Sequence, residues 1–236
     1  MTQIIGKFFI EIVRMKGRDS REMNRNYSKE LEQILGNEQN GGKRLFLHSC
    51  CAPCSSYVLE YLRKFFAITV FYYNPNITEQ EEYFKRVEEQ KRLIREFNRQ
   101  LEDVNLTEAY PIEVIEGDYQ RELFFDCVKG LENCKEGGER CFVCYELRLR
   151  ETAKRAKELQ ADYFTTTLTI SPLKNAAKLN EIGERLAQEY SVPFLPSDFM
   201  KKNGYQRSIE LSKEYDLYRQ DYCGCIYSKL EREAGR

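Results

Sequence analysis

The sequence predicts an α/β fold of three layers, helices on both faces of a parallel sheet, and three observations carry that prediction. Short apolar runs alternate with helical patterns from Lys43 to Leu195. One run, Ile68–Tyr73, is apolar but for Thr69, as in a strand buried on both faces of a parallel sheet. The helical stretches are ten or more residues long, enough for strand–helix–strand crossovers. A chain of 236 residues suits one such domain, placed at 26–236.

Residues 1–25 lack a pattern, include the charged stretch Lys16–Arg25, and read as an N-terminal appendage, with Met23 a candidate alternative start. Ile4–Ile12 is interrupted by Lys7 and Glu11 and precedes no small-residue cleavage site, so it does not read as a signal peptide. Asn26–Leu35 has helical spacing and ends in the Gly- and Asn-rich segment Gly36–Gly42. Arg44–His48 is the first strand, followed by the loop Ser49–Cys54 and a helix carrying Tyr57, Leu59, Leu62 and Phe65. Ile68–Tyr73 is the second strand, and Glu79–Asn98 a long amphipathic helix with Tyr83, Val87, Leu93, Ile94 and Phe97 inward. Pro111–Glu116 is the third strand, Tyr145–Leu159 a charged helix, Tyr163–Leu168 the fourth strand and Lys174–Tyr190 a helix. Pro193–Leu195 is a short edge strand, and a polar helix over Tyr205–Tyr215 precedes a C-terminal cysteine loop.

Charged residues make up 32% of the chain and the net charge is −1, which argues for a soluble, cytoplasmic protein with no global attraction for nucleic acid. No apolar run approaches the length of a membrane span. The nine cysteines are an odd number, so they cannot all pair within one chain, and clustered thiols in a reducing compartment point to metal or redox chemistry.

Six of the cysteines form pairs: Cys50–Cys51, Cys141–Cys144 and Cys223–Cys225. The CxxC step at Cys141 lets a turn opening into a helix grip one metal or adjacent irons, with a thioredoxin-like redox pair as a rival. Neighbours in an extended segment point to opposite faces, so Cys50 and Cys51 are expected to serve two adjacent centres, or to supply one ligand and one reactive thiol. Cys54 is a candidate seventh ligand or a small buried hydrophobe. Cys223 and Cys225 face one side across Gly224, which lets the backbone approach a bulky inorganic group. Four thiolates satisfy a zinc ion or a cubane cluster, so six suggest two metals, with iron–sulfur favoured over zinc. Cys127 and Cys134 read as free thiols.

His48, the only histidine, ends the first strand. A lone histidine is more often a hydrogen-bonded structural residue, but this one is also a candidate catalytic proton donor beside the cysteines. Asp118 and Asp198 are candidate ligands or loop caps. The hydroxyl run Thr165–Thr169 leading to Lys174 and Asn175 suits either a phosphate cradle or ordinary capping. Basic residues at Arg140, Arg148, Arg150, Lys154, Arg155 and Lys157, and at Lys201, Lys202 and Arg207, form either a strip for an RNA backbone or solvated helix faces. Tyr205, Tyr218 and Tyr222 are available to stack bases.

Four ordered motifs carry a family resemblance: His48-Ser-Cys-Cys-Ala-Pro-Cys54, Arg140-Cys-Phe-Val-Cys-Tyr-Glu-Leu-Arg148, Thr165-Thr-Thr-Leu-Thr-Ile-Ser-Pro172 and Leu217-Tyr-Arg-Gln-Asp-Tyr-Cys-Gly-Cys-Ile-Tyr-Ser228. Together they resemble the QueH family of epoxyqueuosine reductases over about Asn26 to Ser228. The resemblance implies a HUP or PP-loop nucleotide-hydrolase-like fold, a [4Fe–4S] cluster and an adjacent mononuclear iron. It implies reduction of epoxyqueuosine at the wobble position of tRNA with a GUN-type anticodon, the last step of queuosine biosynthesis. An external donor, ferredoxin- or flavodoxin-like, would supply the electrons. Ser49-Cys-Cys-Ala-Pro-Cys54 stands where PP-loop ATPases carry a Ser-Gly-Gly loop, so ATP chemistry is not expected. Two alternatives remain at this level, an ATP-dependent tRNA thiolase-like enzyme and a zinc-stabilised tRNA-binding module without catalysis.

Overall fold

A computed structural model describes residues 25–37, 41–101 and 109–235. The expected appendage therefore lies outside the described residues except for Arg25, whose guanidinium pairs with Glu30 at 2.6 Å and Glu184 at 2.7 Å. The first helix, α1 (Tyr27–Leu35), begins where the Asn26 side chain accepts from the Lys29 N–H, satisfying one of the free donors of the first turn. The strands are β1 (Lys43–Ser49), β2 (Phe66–Tyr72), β3 (Ile112–Glu116) and β4 (Tyr163–Thr166).

All strand pairs are parallel and their order is β3-β2-β1-β4. The chain runs outward from β1 to β3 and then returns to the other side of β1, which makes the gap between β1 and β4 the switch point, the crevice where such sheets hold ligands. The expected strand at Pro193–Leu195 is a single parallel bridge, Phe164 with Phe194, beyond β4.

Along β1, Leu45 and Leu47 point into a core formed with α2 (Ala52–Leu62) and α3 (Gln80–Arg99), while Phe46 packs on the opposite face. That second face is covered by α5 (Glu139–Glu158) and α6 (Ala176–Tyr190), through Leu149, Ala153, Leu179, Ile182 and Leu186. Two cores on a shared sheet are the predicted three layers. The helix α7 (Gly204–Glu214) packs against α2.

Three local departures from the sequence expectation shape the site. Helix α5 starts at Glu139 rather than Tyr145, so Cys141 and Cys144 lie in its first two turns. The fourth strand stops at Thr166 because its hydroxyl accepts from the Leu168 N–H at 3.1 Å, turning Thr167–Ile170 into a 3₁₀ helix. Two helices were not expected: α4 (Arg121–Val128) and α8 (Ile226–Ala234), the latter capped by the Cys225 sulfur, which accepts from the Ser228 N–H at 3.4 Å.

Candidate metal centre

The first thiol group forms where β1 passes into α2. Cys51 is fully extended, with φ −174° and ψ 160°, and is the N-cap of α2; Pro53, second in the helix, brings a preset φ to its first turn, and Cys54 returns within that turn. The sulfurs of Cys50, Cys51 and Cys54 consequently lie within 4.8 Å of one another. Cys50 and Cys51 are 3.9 Å apart at sulfur, so the expected divergence of these neighbours does not occur. Strand alternation does not apply because the pair straddles a strand–helix junction. Cys54 joins this group rather than acting only as a packing residue.

These thiols share their protons unequally. Hydrogen bonds from Cys50 and Cys54, with the Arg86 charge adding to them, hold Cys51 well below the usual thiol range. Its bond to Cys51 pushes Cys50 up to about 11. Cys51 is thus the position in this group where a thiolate, the form that binds metal, is favoured.

The second group is built from α5 and the loop before α8. Cys141, Cys144, Cys223 and Cys225 line one small cavity with Asn76, Tyr145 and Arg148. Gly224 sits at φ +117°, a conformation L residues avoid, and its carbonyl accepts from the Thr78 N–H at 3.1 Å, fixing both flanking cysteines against the segment after β2. The Gly137 N–H donates to the Cys141 sulfur at 3.2 Å. Burial pushes Cys144 and Cys225 up to about 12, so without a cation they rest as neutral thiols.

Buried cations surround both groups. Arg86, Arg140 and Arg148 are at most 2% exposed, and each keeps a guanidinium nitrogen with no hydrogen-bond partner: Nη2 of Arg86, Nε of Arg140 and Nη2 of Arg148. Buried donors left unpaired are costly, and an anionic thiolate-bound metal would offset them. The donor set fits soft-metal chemistry: four thiolates close a cluster or zinc site, and three leave one coordination position open. The two groups share an outlet, a cleft of about 520 Å³ lined by Cys50 and Cys54 of the first group, Cys223 of the second, and Arg86, Tyr205 and Tyr222.

A sequence model described as Epoxyqueuosine reductase QueH matches residues 45–231. The chain belongs to the QueH family. Its relatives include proteins named Epoxyqueuosine reductase QueH from Streptococcus pyogenes, 42% identical over 86% of this chain and 78% of that protein, and from Staphylococcus epidermidis, 41% identical over 88% and 86%. A third, from Thermotoga maritima, is 34% identical over 80% of this chain and 91% of its own length. The chain is therefore an oxidoreductase by family, and the QueH span contains every cysteine of both thiol groups.

Other predicted residues are placed differently. His48 is fully buried and lines neither cavity; its Nε2 donates to the Tyr73 carbonyl at 3.1 Å, leaving Nδ1 to accept from Thr166 Oγ1 at 2.8 Å. Burial, with the Arg148 charge, lowers it to about 3, so it stays neutral. The threonine hydroxyls turn inward: Thr165 donates to the Leu195 carbonyl, Thr169 pairs with Ser197, and Thr167 accepts from the Cys50 N–H. They form no phosphate cradle, and Lys174 instead pairs with Glu136 at 2.7 Å beside Cys223. The basic strip is dispersed, since Arg140 and Arg148 are buried and Arg150, Arg155 and Arg207 are paired with glutamates. Tyr218 is tied to Glu82, while Tyr205 and Tyr222 do reach the cleft. Asp118 and Asp198 line neither cavity; burial raises the Asp198 carboxyl. Sequence reasoning missed Arg86, Asn76 and Glu136, which stand alone in sequence among ordinary helix and turn residues and carry no motif.

Among the described residues no helix is long and apolar enough to cross a membrane.

Proposed function

We propose that this chain reduces epoxyqueuosine at the wobble position of tRNA to queuosine, in the cytoplasm, using electrons from an external ferredoxin- or flavodoxin-like donor. Family membership supports the reaction, and one structural observation supports the chemistry: both thiol groups open on a single cleft, with Cys50 and Cys54 at its wall and Cys223 joining it to the four-cysteine cavity. Reducing an epoxide to an alkene takes up two electrons and two protons and releases the oxygen as water. Cys141, Cys144, Cys223 and Cys225 would hold a [4Fe–4S] cluster, which would supply single electrons, and Cys50, Cys51 and Cys54 would hold an iron, which would supply a Lewis acid.

The protein's own groups prepare the substrate. Tyr205 and Tyr222 offer ring faces in the cleft for a base splayed from the single-stranded anticodon loop. Arg219 and Arg232 line the same cleft and suit phosphate contacts. Lys174 lines both cavities; burial opposes its charge, but Cys223, Tyr145 and Glu136 more than offset this, so Nζ holds a proton where cleft and cavity meet.

The test is an anaerobic preparation assayed for iron, sulfide, zinc and ATP dependence, with conversion of epoxyqueuosine tRNA followed by nucleoside analysis. Iron, sulfide and ATP-independent conversion are expected. Zinc alone with tRNA affinity and no turnover would favour the binding module, and ATP-dependent sulfur transfer the thiolase-like enzyme; either result would overturn the proposal.

A further inference from the structure

The three buried guanidiniums are not equivalent. Arg86 has a carboxylate partner, Glu82 at 2.6 Å, and Arg140 has Glu231 at 2.7 Å. Arg148, 1% exposed, has no carboxylate partner among the described residues. Its Nε donates to the Cys144 carbonyl at 3.3 Å and its Nη1 to Asn74 Oδ1 at 3.5 Å, while Nη2 is unpartnered in the wall of the four-cysteine cavity. Asn74 in turn donates through Nδ2 to the Ser49 carbonyl at 2.8 Å, and Ser49 directly precedes Cys50. A hydrogen-bonded path therefore runs from the backbone of Cys144 in one thiol group, through a single buried cation, to the strand end that carries the other.

A buried charge without a counter-ion is strongly disfavoured, so an internal arginine of this kind implies an anion within the protein. Among the described residues no buried carboxylate serves it. The groups within reach that can become anionic are the cysteines lining the same cavity, which turn to thiolates when they ligate metal.

We propose that Arg148 is a positioning residue shared by the two thiol groups: its cation is the common counter-ion of both metal centres, and its bridge through Asn74 holds the two groups in register. The proposal rests on the reading that the four-cysteine cavity holds an iron–sulfur cluster. A nearby positive charge favours the more negative, reduced cluster. Removing it lowers the reduction potential and weakens retention of metal at the three-cysteine site.

The experiment compares wild type, Arg148→Gln, Arg148→Lys and the exposed same-helix control Arg155→Gln, each as the full chain reconstituted anaerobically. Circular dichroism checks the fold, iron and sulfide are assayed, and the reduced fraction is read by electron paramagnetic resonance across a dithionite titration. At a fixed potential, Arg148→Gln should lower the ratio of reduced to oxidised cluster at least about tenfold, about 59 mV for a one-electron couple. Iron in excess of sulfide, which counts the lone metal, should fall with it, and Arg155→Gln should match wild type. An unchanged ratio in Arg148→Gln, or a response confined to one centre, overturns the proposal. Should Arg148→Gln load no cluster, Arg148→Lys decides: regained iron and sulfide support a charge role, and an empty protein refutes it. A wild-type preparation free of iron and sulfide overturns the underlying functional reading itself.

Discussion

Gly224 offers the sharpest test of how the cysteine loop is held. Replacing it with alanine has two separable costs. Its φ of +117° is disfavoured for any residue with a Cβ, at about 1–3 kcal/mol. The added Cβ would also lie 2.8 Å from Ile77 Cγ1 and 3.2 Å from Arg86 Nη1. Neither neighbour can yield easily, because Ile77 is buried and Arg86 is held by Glu82 and the Cys223 carbonyl. Overpacking of this kind costs a further ~1–3 kcal/mol, for a total of roughly 2–6 kcal/mol. Gly130 is the control: its φ is +84° but a Cβ there meets nothing within 4 Å, so Gly130→Ala carries the backbone cost alone. Urea unfolding of the metal-free, reduced chains should rank wild type above Gly130→Ala and Gly130→Ala above Gly224→Ala. Equal midpoints for the two variants would refute the close packing of the loop on Ile77 and Arg86.

Two further outcomes follow from the site. His48 has a folded pKa near 3, below its ordinary 6.5, so the unfolded chain binds a proton that the native chain refuses; its stabilisation is complete above pH 6.5 and is lost as pH falls from there toward 3. The loss amounts to about 2 kcal/mol at pH 5, and because this is the sole histidine, a flat stability of the metal-free chain between pH 7 and 5 would contradict its buried neutral state. Cys54→Ala should remove about one iron per chain while sulfide is unchanged, and Cys134→Ala should remove none; equal iron in the two variants would show that Cys54 is not a ligand, despite its sulfur lying within 4.8 Å of Cys50 and Cys51.

The parallel sheet was legible because burial on two faces leaves a continuous apolar record, as at Phe66–Tyr72, and the helices between strands keep a periodic one. The cysteine spacings likewise marked residues that the fold gathers into two groups. The geometry around them was less legible, for three physical reasons. The divergence expected of Cys50 and Cys51 presumed a strand, whereas the chain turns into α2 at Ala52 and brings the sulfurs together. The start of α5 was hidden because its first turns carry cysteines, which have modest helix propensity, and Gly138 caps it without a side chain. The basic run was ambiguous because charge in a sequence says nothing of burial: Arg140 and Arg148 point inward while their helical neighbours Arg150 and Arg155 pair with glutamates.

That inward-pointing charge supports the metal centre proposed above over the alternatives the cysteines alone allow. A redox pair needs two thiols and at most one activating cation, and a structural cluster of neutral thiols needs none. Here seven sulfurs in two groups are surrounded by Arg86, Arg140, Arg148 and Lys174, all largely buried. The cations are only partly matched by Glu82, Glu231 and Glu136, and three guanidinium nitrogens are left without acceptors. Each orphaned donor costs on the order of 1–3 kcal/mol, more for a charged group, so the metal-free arrangement is stable only at the expense of the surrounding core. Cysteines that ligate metal become thiolates, and an assembly of seven thiolates with soft cations carries net negative charge next to those donors. The protein charges thus suit the proposed loaded site, and without a cation burial holds Cys144 and Cys225 protonated.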